Sequence, residues 1–269
     1  MDEFIISIFY EIDNFCREFI PYWEQQCLSM DDSRVNLELP SALTLSEAMT
    51  ICVVFHHSGY RTFKKYYQDL ISQRYRKFFP RLVSYNRFVE LMPYIALPLA
   101  YFVCSHKGNC TGISFVDSTT LDVCDTHRIP QHKVFQEVAQ RGKSSTGWFY
   151  GFKLHLIIND KGEILNFCLT AGNKDDRNHK VMKHLTKKLF GALFADKGYL
   201  SQKLFDTLWE KGIKLVTKQK KNAKKKGIME LSERILLRKR AVIESVNDFL
   251  KNICHWVATS LPFCIAEQP

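Results

Sequence analysis

The stretch Gly112-Ile-Ser-Phe-Val-Asp-Ser-Thr-Thr-Leu121 alternates apolar and β-branched residues and runs them up to a carboxylate, Asp117. A second stretch, Gly191-Ala-Leu-Phe-Ala-Asp-Lys-Gly-Tyr199, repeats the design at Asp196. Such alternation marks a buried strand, and the spacing predicts that each strand stops where its acid begins. Farther on, Arg238-Lys-Arg-Ala-Val-Ile-Glu-Ser-Val-Asn-Asp-Phe-Leu250 reads as a helix with Val242, Val246, Phe249 and Leu250 near one face and Glu244 beside it. Two acids on strands and one on a helix suit a pair of divalent cations for phosphoryl transfer.

Between these segments, Trp148-Phe-Tyr-Gly-Phe-Lys-Leu-His-Leu-Ile-Ile158 and Ile164-Leu-Asn-Phe-Cys-Leu169 flank Asn159-Asp-Lys-Gly162, a polar connection with Gly where a hairpin turn prefers it. The first three strands are therefore expected to form an antiparallel meander. Asn178 to Phe190 and Ser201 to Lys211 read as helices around the Asp196 strand, and Lys214-Leu-Val-Thr217 as a last short strand. The order β-β-β-α-β-α-β-α predicts an α/β fold, a mixed sheet covered by helices in the ribonuclease H-like order.

Residues 1–103 read as all-helical. Phe4, Ile5, Ile8, Phe9, Ile12, Phe15 and Phe19 recur at three- and four-residue steps. Thr44-Leu-Ser-Glu47 has the spacing of a capping box ahead of a helix over Ala48 to His57, and Gly59 ends it. The basic, aromatic stretch from Arg61 to Tyr67 and a further helix opening at Ser84, with Arg87 in its first turn, are compatible with a helix-turn-helix DNA-binding domain. The expected organisation is 1–103 helical, 104–254 catalytic and 255–269 a separate tail.

The chain has 269 residues, 46% of them hydrophobic, enough for a large core or two domains. Its 38 basic residues against 28 acidic ones leave +10, which favours a polyanionic partner. No apolar run reads as approaching the roughly 20 residues of a bilayer span, and the acidic start Met1-Asp-Glu lacks a secretory signal's basic residues. Double-stranded DNA and a cytoplasmic, nucleoid-associated site are the resulting expectations, with no membrane. Nine cysteines among apolar neighbours suit reduced core thiols.

The stretches VDSTTLDVC, HRIPQHKVFQ, GKSSTGWFYGFKLHLIIN, LTAGNKDDRN, FADKGYLS and LLRKRAVIESVNDFLKNI together resemble the insertion-sequence 982 family of bacterial transposases, over roughly residues 1–254. The resemblance implies that Asp117, Asp196 and Glu244 are the catalytic acids of a DDE transposase. It further implies a retroviral-integrase type of fold, Mg²⁺ dependence with Mn²⁺ as substitute, and terminal-inverted-repeat DNA cut and joined to target DNA by a homo-oligomer.

Three carboxylates have a physical use apart from any family. Two Mg²⁺ ions would activate the nucleophile and stabilise the leaving oxygen of a phosphodiester, and Asp117, Asp196 and Glu244 are the residues expected to hold them, Asp117 shared between the two. Arg240, one turn before Glu244, suits either an i, i+4 pair or a DNA phosphate near the cleavage point. Leu237 stands where some DDE transposases carry a tyrosine. From Lys214 to Arg240 there are eleven basic residues against two acids, nearly the whole surplus of the chain. Lys218, Lys220, Lys221, Lys224, Lys225, Lys226 and Arg238 are accordingly expected to track the DNA backbone, a solvated loop being the plainer alternative.

Other clusters read as structural. Asn173-Lys-Asp-Asp-Arg-Asn178 is expected to cap the helix that follows. Cys104, His106, Cys110, Cys124, His127 and His132 have only loosely zinc-like spacing. Trp148, Phe149 and Tyr150 look like a base-stacking patch, but on a strand at least one of them points inward, and core is the default. The ending from His255 to Pro269 does not match the family and looks frameshifted or truncated. A competent transposase, a DNA-binding remnant that represses related elements, and a nuclease acting on RNA hybrids are the functions in competition.

Overall fold

The stripe Ile5, Ile12, Cys16 and Phe19 is what the first helix, α1 (Asp2–Met30), buries, in the computed structural model, which describes residues 2–30, 39–133, 135–144, 147–218 and 230–253. The chain divides into two units, one ending at His106 and one spanning Lys107–Asn252.

In the first unit, α2 (Leu45–Phe55) starts at the expected capping box: Glu47 N–H donates to Thr44 Oγ1 at 3.2 Å, and Thr44 N–H donates to Glu47 Oε2 at 2.8 Å. A short turn, α3 (Phe63–Lys65), runs on into a π-helical segment, Tyr66–Arg74. There Tyr66 and Tyr67 are buried, and their hydroxyls donate to Ile51 O at 2.9 Å and Val83 O at 2.7 Å. The aromatic half of that stretch thus belongs to the core, while Lys64 and Lys65 remain exposed.

The last helix of this unit, α4 (Tyr85–Ser105), is capped by Ser84 and buries Phe88, Leu91, Ile95 and Pro98. It corrects one expectation. Among the described residues α4 is a helix long and apolar enough, by length and composition, to cross a membrane. The low count of charged residues between Leu91 and Ser105 hides in the sequence because Pro93 and Pro98 interrupt the run.

The second unit holds a six-stranded mixed sheet. Its strands are β1 (Ile113–Cys124), β2 (Gln140–Ser144), β3 (Gly147–Asn159), β4 (Ile164–Ala171), β5 (Gly191–Ala195) and β6 (Ile213–Thr217). They run in the order β2-β3-β1-β5-β6, with β4 also on β3. The pairs β1/β3, β2/β3 and β3/β4 are antiparallel, and β1/β5 and β5/β6 are parallel.

At the β3–β4 turn, Gly162 sits at φ +89° and the buried Asn159 side chain accepts from the N–H groups of Lys161 and Glu163. The parallel start of β5 needs Gly191, at φ +83°, because a Cβ there would collide with the backbone of Gly112.

Apolar residues split by parity to the two faces, as strand alternation requires. Val116, Ile157, Leu193 and Ala195 pack with Val181, Met182 and Leu185 of α5 (His179–Leu185) and with Leu204 and Leu208 of α6 (Gln202–Glu210). Phe115, Leu156, Ile158, Phe194 and Val216 pack with Leu237 of α7 (Leu231–Lys239) and Ile243 of α8 (Ala241–Asp248).

Three expectations change here. Strand β1 does not stop at Asp117 but continues to Cys124, because Ser118-Thr-Thr-Leu121 keeps its ladder with β3 from Ser114↔Asn159 to Cys124↔Tyr150. Strand β2 was not expected, its sequence being polar and glycine-containing. The predicted helix over 238–250 is broken at Arg240 into α7 and α8, with Ile243 buried at its centre and Phe249 43% exposed.

Candidate active site

The parallel ladder of β1 and β5 pairs Phe115 with Phe194. Two residues beyond that pair stand Asp117, still within β1, and Asp196, just past the end of β5, so the register brings both to nearly the same level. Asp117 lies mid-strand opposite Leu156 of β3, on the face covered by α7 and α8. Asp196 begins the turn after β5 and is exposed.

Helix α8 closes over Asp117 through Ile243, which is fully buried among Phe115, Leu156 and Phe194. From that anchor, Asn247 Nδ2 donates to Asp117 Oδ2 at 3.1 Å. Arg240 Nη1 lies 3.8 Å from Asp117 Oδ1, and its Nη2 donates to Glu244 Oε1 at 2.7 Å. Arg240 therefore stands between the strand carboxylate and the helix carboxylate.

Burial pushes the Asp117 carboxyl above the usual carboxylate range. The Arg240 guanidinium and the Ser118 N–H pull it back, while Glu244 and Asp196 push it up, so the three acids are within electrostatic reach. They are not gathered round one point: among the described residues no group of three or more His, Cys, Asp and Glu side chains is placed to hold a metal ion. Two buried polar atoms beside Asp117, Arg240 Nη1 and Asn247 Oδ1, have no hydrogen-bond partner.

Of the other expected DNA contacts, Lys218 and Arg238 are exposed. Arg87 is engaged within the first unit, where it donates to Pro40 O at 2.6 Å and pairs with Glu90 at 2.6 Å. Lys220, Lys221, Lys224, Lys225, Lys226 and the segment 255–269 lie outside the described residues.

Asn178 caps α5, accepting from Lys180 N and Val181 N, as the loop reading expects. Its neighbours Asp175 and Asp176 are spent on Arg177 and Lys153.

Two residues beside Asp117 were missed in the sequence. One is Asn247. The other is Lys251, whose ammonium burial lowers below its usual pKa while Asp122 and Asp117 hold it up. Both sit three and seven residues beyond Glu244, a helical step that would have flagged them.

A family model described as the transposase DDE domain matches residues 107–260, more than half of the chain. Among solved structures, the chain is similar to a piggyBac transposase in a cryo-EM synaptic complex with hairpin DNA. The TM-score is 0.51 at 10% identity, covering 80% of this chain and 62% of that one. That likeness is one of fold. No curated protein matches the sequence.

Proposed function

The chain belongs to the transposase DDE-domain family, and on that premise we propose that it is the transposase of a bacterial insertion sequence of the 982 family. In this reading the second unit is a ribonuclease H-like catalytic domain and the helical unit binds terminal inverted repeats. The chain then works as a homo-oligomer on double-stranded DNA at the nucleoid.

The observation that carries the reading is the convergence on Asp117. One carboxylate follows the end of the next strand and another stands on the helix packed over it, and burial makes the charge of Asp117 costly unless cations answer it. Asp117, Asp196 and Glu244 would hold Mg²⁺, for which Mn²⁺ substitutes. The donor chemistry fits, since all three are hard carboxylate oxygens and Asn247 Oδ1 is an unpartnered oxygen beside Asp117, but Arg240 and the spread of the three acids mean that the side chains must draw together for an ion to be held. The ions would lower the pKa of the attacking hydroxyl and stabilise the leaving oxygen.

The chain's own groups have separate tasks. Asn247 fixes the Asp117 carboxylate by holding Oδ2. Arg240, tied to Glu244 in the absence of DNA, is the cation available to a scissile phosphate once that pair opens. Arg238 and Lys218 add exposed positive charge along the approach.

The test is cleavage of end-labelled DNA carrying the element's terminal repeats, with Mg²⁺ present. The wild-type chain should cut at the repeat end, and Asp117→Asn should bind the same DNA without cutting it. If the two proteins cut alike, or binding and cutting fall together, the assignment is wrong. Cleavage of an RNA–DNA hybrid in preference to terminal DNA would point to the nuclease instead.

A further inference from the structure

The sequence left Trp148, Phe149 and Tyr150 as core by default. Phe149 and Tyr150 are buried, at 5% and 6% exposure, but Trp148 is 61% exposed. It lies where β2 and β3 pair as an antiparallel ribbon, with Lys143 directly opposite and Arg141 two rungs along, opposite Tyr150. The Arg141 guanidinium stands 5.6 Å and the Lys143 ammonium 5.7 Å from the indole centroid. Both cations are exposed, and neither has an ion-pair partner among the described residues. A large aromatic surface costs free energy when left in water, and a ribbon this short gains little from displaying one.

Strand parity sets which way this surface faces. Trp148 and Leu156 are an even number of residues apart on β3, and Leu156 pairs directly with Asp117, so Trp148, Lys143 and Arg141 share Asp117's face of the sheet. Eight residues of strand separate the two sites, about 26 Å at roughly 3.3 Å per residue. At roughly 3.4 Å per nucleotide that is about eight nucleotides of DNA.

We propose that the β2/β3 ribbon is a second DNA-binding element, in which Trp148 stacks on an unpaired base while Arg141 and Lys143 contact the flanking phosphates. The proposal rests on the DNA-transposase reading above. An aromatic face recognises any base by its π surface, and two neighbouring cations complement a strand with one charge per nucleotide.

The experiment measures binding of the full chain to two labelled DNAs by fluorescence anisotropy, one fully paired and one with unpaired bases about eight nucleotides from the cut. Trp148→Ala should weaken binding to the second by roughly five- to 150-fold, the range of one base stack, and barely change the first. Trp148→Phe should restore most of the loss. Arg141→Gln with Lys143→Gln should flatten the dependence of log affinity on log salt by about 1.4, at about 0.7 per single-strand phosphate contact.

Unchanged affinity and slope in a wild type that does bind DNA would overturn the ribbon proposal and leave the catalytic reading standing. A wild type that binds no DNA removes both. If Trp148→Ala instead breaks an oligomer in sedimentation without changing DNA affinity, the surface belongs to a second copy and the proposal fails. Melting temperatures close to wild type would show that each variant is folded.

Discussion

Asp117 and Glu244 feel each other's charge, yet the sheet and the helix of the second unit that carry them hold them by different means. Asp117 is a rung in a ladder, paired to Leu156 on one side and level with the β5 strand on the other. Moving it means breaking the antiparallel β1–β3 ladder around it. Glu244 stands on an eight-residue helix, 59% exposed, held by Ile243 beneath it and by side-chain bonds from Arg240 and Asn247. The sheet half is positioned by cooperative backbone pairing and the helix half by a few side chains. Elements gripped by few contacts are the ones that shift at low cost. The difference teaches which acid is fixed before DNA arrives and which is free to adjust when it does.

The sharpest test of that contrast is to change carboxylate length on each side. Asp117→Glu should lower terminal-DNA cleavage about a thousandfold, since the β1–β3 ladder cannot retreat and several kcal/mol of charge stabilisation depends on placement. Glu244→Asp should cost about a hundredfold or less, because α8 can follow. Equal losses in single-turnover cleavage would break the distinction.

Next is the helix anchor. Ile243→Ala should destabilise the second unit by about 2–5 kcal/mol in urea unfolding, the range for a large buried aliphatic. Hydrogen exchange should rise first in α8 while the β1–β3 ladder stays protected. Parallel loss in both would mean the helix and sheet form one cooperative block.

His155 tests the sheet from inside. It is buried with Nε2 2.9 Å from Thr170 Oγ1, and burial lowers its pKa from the usual 6.5 to about 4, with Asp176 opposing the fall and Lys153 adding to it. A depressed histidine pKa means the unfolded chain binds the proton first, so stability is lost as pH falls from about 6.5 to about 4. His155→Gln should remove about 3 kcal/mol of that pH dependence, at 1.36 kcal/mol per unit. An identical pH profile for the two proteins would mean another group is responsible.

The smallest expected stability effect is at the Arg240–Glu244 pair. Arg240→Gln should lower stability by about 1 kcal/mol: the pair with the exposed Glu244 is screened by solvent, but loss of the 3.8 Å contact leaves the buried Asp117 carboxylate without its cation. It should nevertheless weaken DNA binding measurably. A stability loss well above that figure would show that Arg240 holds α8 in place.

Much of the secondary structure was legible. The capping box at Thr44, the hairpin around Gly162, the cap at Asn178 and the short strands at Gly191 and Ile213 follow from local chemistry, because each depends on residues a few positions apart. The length of β1 was not, since Ser118-Thr-Thr becomes strand only through a partner more than thirty residues away. The two prolines in α4 obscured a long helix, and the polar β2 looked like loop until β3 paired with it.

The sequence alone determined the α/β character and the candidate acids, because hydrophobic periodicity and carboxylates that follow apolar runs are local patterns. Tertiary structure decided what surrounds them. Register places Asp196 level with Asp117, helix packing brings Asn247 to Oδ2 and sets Arg240 between Asp117 and Glu244, and strand parity turns Trp148 outward on Asp117's face. These are relations between segments far apart in the chain, fixed by which apolar faces bury against each other, and no local pattern encodes that choice.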